Sequence, residues 1–197
     1  MAGKVANPLK AALRREILVA RDALAATERA RLSAHITQQL RALEAYRNAA
    51  CVLAYMSFGS EFDTAQLVQD VLANGKQLCL PRLNRDTRQL ELHLADNLEH
   101  LENGVWGIRE PRADSPRAEL ARIDFVLLPG VAFTPRCERL GYGGGHYDRL
   151  ITQFATCPPL IAATFALQMR DQIPFDADDQ YVDVVVTESS FHARSNQ

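Results

Sequence analysis

No stretch of the chain approaches the roughly 18 uninterrupted apolar residues that a membrane-spanning helix requires, so no helical span is expected. The opening segment, MAGKVANPLKAALRREILVARDAL, also lacks the continuous apolar core of a secretory signal, because arginines and a glutamate interrupt it every few positions. A cytoplasmic protein is the expectation. An excess of charge of one sign is missing too: the net charge is -2 with 23% charged residues, which excludes the basic footprint of a nucleic-acid binder and the charge excess of a disordered chain. Any anion site must therefore be local. The four cysteines, Cys51, Cys79, Cys137 and Cys157, show no CxxC spacing, so a thiolate metal site is disfavoured and buried thiols are expected. There is no internal repeat, low-complexity segment or linker. With 197 residues and 47% hydrophobic composition, one domain over 1–197 can bury a single sizeable core. No heptad or long exposed apolar patch is visible, which points to a monomer.

What is present is an alternation of helical and strand-like segments. Leu9, Leu13, Ile17, Ala20 and Leu24 recur at steps of three and four, predicting a helix over 8–24 with that stripe facing a core. On the same helical wheel Lys10, Arg14 and Arg21 fall within about 40° of each other, on an edge beside the stripe. Leu32, Ile36, Leu40 and Leu43 mark a second amphipathic helix. Strands are expected at 51–57, at 77–80 with Pro81 as the stop, at 125–128, at 160–165 and at 182–187. The alternation in QLELHL, with Leu90, Leu92 and Leu94, reads as a half-exposed edge strand, and 97–116 as loop. A helix over 64–74 would start at Asp63 or Thr64 and end at Gly75. Strands separated by helices imply βαβ units and a mainly parallel sheet with helices on both faces, whose ligands bind beyond the carboxyl ends of the strands. His35, His93 and His100 have no partner cluster and are expected at the surface.

The segment richest in chemistry is RLGYGGGHYD, Arg139 to Asp148, with four glycines in five positions between a strand and a helix. Glycines let backbone N–H groups approach an anion without obstruction by a Cβ, and a helix N-terminus adds partial positive charge. The run lacks the Lys-Ser/Thr ending of a Walker A loop and the spacing of a dinucleotide-binding fingerprint. Arg139 is suited to pair with phosphate oxygens, and Asp148 to hold a magnesium ion that bridges them.

This segment resembles the R-L-G-x-G-x-G-Y-Y-D signature of the 5-formyltetrahydrofolate cyclo-ligase family, with His146 in place of one tyrosine. The likeness runs through Lys10, Arg14 and Arg21, Glu61 and Thr64, Pro81, and Gly107 with Glu110 and Pro111. It continues at Phe165, Ile173-Pro174, Asp179, Asp183 and Thr187-Glu188. Upstream of the loop the chain departs from the family, with Thr134 and Cys137 where the family has an Asp and a Gly. The resemblance implies a three-layer α/β/α fold of the sugar-phosphate isomerase and CoA-transferase type. It also implies conversion of 5-formyltetrahydrofolate, with or without a polyglutamate tail, to 5,10-methenyltetrahydrofolate with ATP and magnesium. By the family pattern Arg139, Tyr147 and Asp148 are the catalytic group. Lys10, Arg14, Arg139 and Tyr147 would hold ATP, with the loop glycines Gly141, Gly143, Gly144 and Gly145. Asp148 and Asp179 would carry magnesium, with Asp178 an adjacent competitor. Glu61, Met56 and Trp106 would meet the folate, with Tyr142 and His146 at its border. Phosphoryl transfer needs positioning and charge neutralisation more than a protein nucleophile.

Two other readings stand beside this one. An isomerase or CoA-transferase-like activity on a related scaffold would need no ATP. A non-catalytic or altered-substrate paralogue binding folate or nucleotide would be consistent with Thr134, Cys137 and His146, whereas the retained Lys10, Arg14, Arg139 and Asp148 argue for turnover.

Overall fold

The computed structural model describes residues 7–194. Three helices, α1 (Pro8–Asp22), α2 (Ala26–Ala42) and α3 (Glu44–Asn48), precede the first strand β1 (Cys51–Leu53), which is followed by α4 (Ala65–Ala73). A long hairpin, β2 (Gln77–Asn84) and β3 (Gln89–Ala95), comes next, then two short pairs, β4 (Glu102–Asn103) with β5 (Arg109–Glu110), and β7 (Ala132–Phe133) with β8 (Arg139–Leu140). The strand β6 (Phe125–Leu128) lies between those pairs, and α5 (His146–Ile151), β9 (Leu160–Ala163), β10 (Val184–Val186) and β11 (Phe191–Ala193) complete the chain.

Seven strands form one sheet in the order β11-β10-β9-β6-β1-β2-β3. The five central strands run parallel, and β3 and β11 are antiparallel edges. Burial explains the composition of the centre: parallel strands covered on both faces read as continuous apolar runs, as FVLL and LIAA do here. Alternate residues of each strand then go to opposite layers. On one face Val52, Leu78, Phe125, Leu127 and Ile161 pack with α2 and α4 through Ile36, Leu40, Leu67 and Val71. Leu53, Cys79, Val126, Leu128 and Ala162 pack on the other face with Phe133, Leu150 and Ile151. The three-layer α/β/α arrangement expected from the alternation is present. From β1 the chain proceeds to β2 on one side and later to β6 on the other. The crevice at the carboxyl ends of β1 and β6 is therefore the topological switch point where such sheets place ligands.

Several local expectations are corrected. Only part of the stripe predicted for α1 faces inward: Ile17 is buried and Leu13 and Leu24 are half-buried, but Leu9 is 67% exposed and Ala20 is exposed, while Lys10 and Arg21 are buried. The buried face is rotated by about 60° toward the cations. The reason is tertiary, since Ile17 packs with Val131, Ala132, Leu140 and Ile173 while the neighbouring cations find carboxylate, hydroxyl and carbonyl partners. Pro81 does not stop β2, which continues to Asn84 with Pro81 opposite Leu92. Beyond Cys79 the ladder to β1 has ended, so β2 is an edge there, and a proline without an N–H is tolerated. His93 is fully buried, with Nδ1 2.8 Å from the Ser115 carbonyl, because the distant segment 115–118 lies along β3 and bonds to Leu92 and Leu94. His35 and His100 do lie toward solvent, His100 with 69% of its side chain exposed. Cys51, Cys79 and Cys137 are buried, but Cys157 is exposed. No helix of the described residues is long and apolar enough to cross a membrane.

Candidate active site

Two adjoining cavities open at the switch point. The first, about 490 Å³, is bounded by Tyr55 and Met56 beyond β1, Glu61, Pro81 and Leu83 of β2, Trp106, Glu110, and Pro129 beyond β6. The second, about 880 Å³, is bounded by Lys10 and Arg14 of α1, Arg149, and the segment Asp176 to Gln180. Gly141, Gly144, Gly145 and Asp148 line both, so the glycine-rich loop is their common wall.

The loop is held from several directions. Arg14 Nε donates to the Gly141 carbonyl at 2.7 Å. Gly143 and Gly145 adopt φ of 105° and 62°, a left-handed region that disfavours other residues. A Cβ at Gly143 would lie 3.3 Å from the Arg14 guanidinium carbon, and one at Gly144 would lie 2.5 Å from the His146 ring, so side chains there would fill the space beside the cations. Gly145 caps the start of α5, which places Asp148 in its first turn.

The hairpin of β7 and β8 brings Arg139 under this loop. Its connection is a turn in which the Cys137 N–H donates to the Thr134 carbonyl at 2.9 Å, with Cys137 at φ 65°. A type I turn followed by one left-handed residue is an established three-residue hairpin connection, and glycine is the easiest occupant of that last position. The cysteine that replaces the family's glycine keeps the turn and is buried in the second core layer. Thr134 donates from Oγ1 to Glu138 Oε2 at 2.8 Å and closes the same turn. Neither departure disrupts the loop.

Arg139 is 3% exposed; Nη2 donates to Asp148 Oδ1 at 2.5 Å and Nη1 to the Pro129 carbonyl at 3.1 Å. Its Nε is buried with no hydrogen-bond partner among the described residues, an orphaned donor close to the loop. Asp148 Oδ1 also accepts the Gln180 N–H at 3.2 Å, which ties α5 to the second cavity. Lys10 is paired with Asp179 and, at 2.8 Å, with Asp176. Burial works against its charge, but the two carboxylates outweigh burial and hold the ammonium above its ordinary pKa. Buried Lys10, half-buried Arg14 and the glycine wall open to the second cavity form a site suited to a polyanion, with the orphaned Arg139 donor on the first-cavity side of that wall. Among the described residues no three His, Cys, Asp or Glu side chains converge into a metal cluster. A magnesium ion that accompanies phosphates usually takes only one or two protein carboxylates, and Asp148 and Asp179 both line the second cavity.

The first cavity is more apolar and carries one well-ordered acid. Glu61 is 6% exposed, accepting from the Phe58 N–H at 3.0 Å through Oε2 and from the Tyr142 hydroxyl at 2.5 Å through Oε1. Burial pushes its carboxyl upward, and Tyr142, the Phe58 N–H and the Arg21 cation hold it down. His146, with Nδ1 3.0 Å from the Arg88 carbonyl, lines this cavity; burial first, then the neighbouring arginines, depress its pKa against that hydrogen bond. Trp106 sits at the rim, 72% exposed and with φ 59°. Arg139 and Tyr147, which the family pattern assigns to ATP as well, both face the first cavity and not the second.

All the candidate site residues named from the sequence line one of the two cavities. Arg88 and Arg109 at the first cavity and Arg149 and Asp176 at the second are further lining residues that no motif or periodicity in the sequence sets apart. Glu110 is marked in the sequence by the family resemblance alone. Glu110 is buried against Gly104, where an added Cβ would lie 2.2 Å from its carboxyl carbon, and burial raises its pKa against the Leu83 N–H and nearby arginines. A periodicity argument has no signal for a carboxylate buried by a distant glycine.

The fold and paired cavities define an α/β protein in which a cavity walled by cations and glycines adjoins a more apolar one. The sequence model of the 5-formyltetrahydrofolate cyclo-ligase family matches residues 6–188. A cyclo-ligase of that name from Mus musculus is 30% identical, with 96% of this chain and 98% of that one covered. One from Escherichia coli K12 is 31% identical, covering 70% of this chain and 78% of its own. The NMR structure of Aquifex aeolicus 5,10-methenyltetrahydrofolate synthetase superimposes with a TM-score of 0.85 at 32% identity, covering 96% of this chain and 94% of that one. The chain belongs to the 5-formyltetrahydrofolate cyclo-ligase family.

Proposed function

We propose that the enzyme converts 5-formyltetrahydrofolate to 5,10-methenyltetrahydrofolate in an ATP- and magnesium-dependent reaction that releases ADP and phosphate. The observation that carries this reading is the shared wall: one glycine-rich loop borders both cavities, so a group passing from an anion on one side to a ligand on the other crosses at Gly144, Gly145 and Asp148. ATP phosphates would lie against Lys10, Arg14 and the loop N–H groups in the larger cavity. The folate ring would lie in the smaller one, with its aminopyrimidine edge on Glu61 and its faces against Met56, Trp106 and Tyr147.

A formamide oxygen is a poor leaving group. Transfer of the terminal phosphoryl group to that oxygen makes it a good one; the second folate nitrogen then attacks the formyl carbon, loses its proton, and phosphate departs with the oxygen. The residues of this chain bind and orient the two substrates so that the formyl oxygen and the phosphoryl group meet at the loop, and the cations offset charge on the phosphoryl oxygens. Magnesium, when bound at Asp148 and Asp179, supplies further charge neutralisation.

Purified protein mixed with 5-formyltetrahydrofolate and Mg-ATP should develop the ultraviolet absorbance of the methenyl product, and omission of ATP should abolish it. Asp148→Asn should reduce magnesium-dependent turnover, whereas Glu61→Ala should chiefly raise the KM for the folate. Wild-type behaviour in both variants would sink these assignments.

A further inference from the structure

Tyr142 interrupts the run of glycines, and its side chain leaves the phosphate side of the loop to reach Glu61. The two oxygens of Glu61 are fixed by donors from different segments: Oε1 by the Tyr142 hydroxyl at 2.5 Å, Oε2 by the Phe58 N–H at 3.0 Å. The tyrosine ring is itself held. It packs on Phe58 with centroids 5.5 Å apart, and the Arg21 guanidinium lies 5.9 Å from its centroid. Arg21 is buried and steadied by Ser60, whose hydroxyl bonds to Asp22.

The groups whose electrostatics bear on Glu61 are Arg21 from α1, Tyr55 beyond β1, Tyr142 from the loop and Tyr147 from α5. Only Arg21 among them is charged at neutral pH. A carboxyl this deeply buried tends to take up a proton, and a protonated carboxyl loses acceptor capacity for the N–H groups of an aminopyrimidine.

We propose that Tyr142 is a positioning residue whose hydroxyl keeps Glu61 ionised and oriented toward the folate ring. The loop that borders the phosphate cavity thereby also sets recognition in the neighbouring one. The proposal rests on the reading of Glu61 as the carboxylate that pairs with the folate ring.

The test compares kcat and KM for 5-formyltetrahydrofolate between about pH 5.5 and about pH 9 in the wild type, Tyr142→Phe, Glu61→Gln and the double variant. Phenylalanine retains the ring packing on Phe58 and Arg21, and a melting temperature close to wild type verifies that it does. Loss of a donor to the charged form raises the carboxyl pKa, so the acid limb of kcat/KM moves to higher pH. In Tyr142→Phe, kcat/KM should fall about tenfold at the acid end, carried by KM, with the deficit shrinking as pH rises. In the Glu61→Gln background the same change should bring no pH-dependent loss. A Tyr142→Phe deficit equal at every pH, or confined to kcat, overturns the positioning role while leaving Glu61 in place. A wild-type folate KM in Glu61→Gln overturns the reading of Glu61, and the proposal with it.

Discussion

Removing the Arg139 guanidinium should damage the molecule far more than removing a surface cation. Its side chain joins three segments: it pairs with Asp148 at 2.5 Å, donates to the Pro129 carbonyl beyond β6 at 3.1 Å, and shares Asp148 with the Gln180 N–H at 3.2 Å. Arg139 is 3% exposed, so Arg139→Leu leaves the Asp148 carboxylate facing a space once filled by positive charge. Breaking a buried pair on one side costs about 3–5 kcal/mol, and because the Asp148 side chain is 22% exposed the lower end applies, about 3 kcal/mol. For a chain of this size that corresponds to a fall in Tm of about 9 °C. Asp148→Asn should cost a similar amount, since a buried guanidinium is then left without its counter-charge. The two losses should not add: urea unfolding of both single variants and the double variant should give a coupling energy of about 2 kcal/mol. Arg139→Lys should fail to restore either stability or turnover, because one ammonium cannot span the Pro129 carbonyl and Asp148 as the forked guanidinium does. Additive losses, or a lysine variant with wild-type Tm and turnover, would refute the view that this pair pins the loop.

Two further predictions follow from the packing. Gly144→Ala puts a Cβ 2.5 Å from the His146 ring, forcing it off the Arg88 carbonyl; stability should drop by about 1 kcal/mol and the folate KM should rise, as equilibrium unfolding and steady-state kinetics would reveal. Ile17→Ala should lose about 3 kcal/mol in urea unfolding while Leu9→Ala changes stability by less than about 0.5 kcal/mol, although the stripe read from the sequence puts both residues on the inward face.

Much of the fold was legible because its signals are local. The apolar runs FVLL and LIAA, the turn at Gly75 and the amphipathic stripe of α2 each report on neighbours a few residues apart, and each appears in the structure. The place of the candidate site was legible in the same way, since a glycine run beside Arg139 and Asp148 can be read along the chain and lines both cavities. Where the readings failed, a distant segment had intervened. His93 is buried by 115–118, and β2 passes Pro81 because β1 has ended beside it. The inward face of α1 keeps Ile17 but is turned from the centre of the stripe toward the carboxylates, hydroxyl and carbonyl that meet its cations.

The sequence by itself determined an α/β chain with a parallel sheet, a cationic edge on α1, a glycine-rich loop and the family to which these belong. These are properties of residue type and short-range period, which backbone geometry converts directly into helix, strand and turn. The tertiary structure decided that one loop separates two cavities, that Arg139 and Asp148 face each other across it, and that Tyr142 turns into the first cavity to Glu61. Those pairings join residues as far apart in the chain as Glu61 and Tyr142. They form because a buried charge that lacks a partner is more costly than the ordering needed to bring one to it.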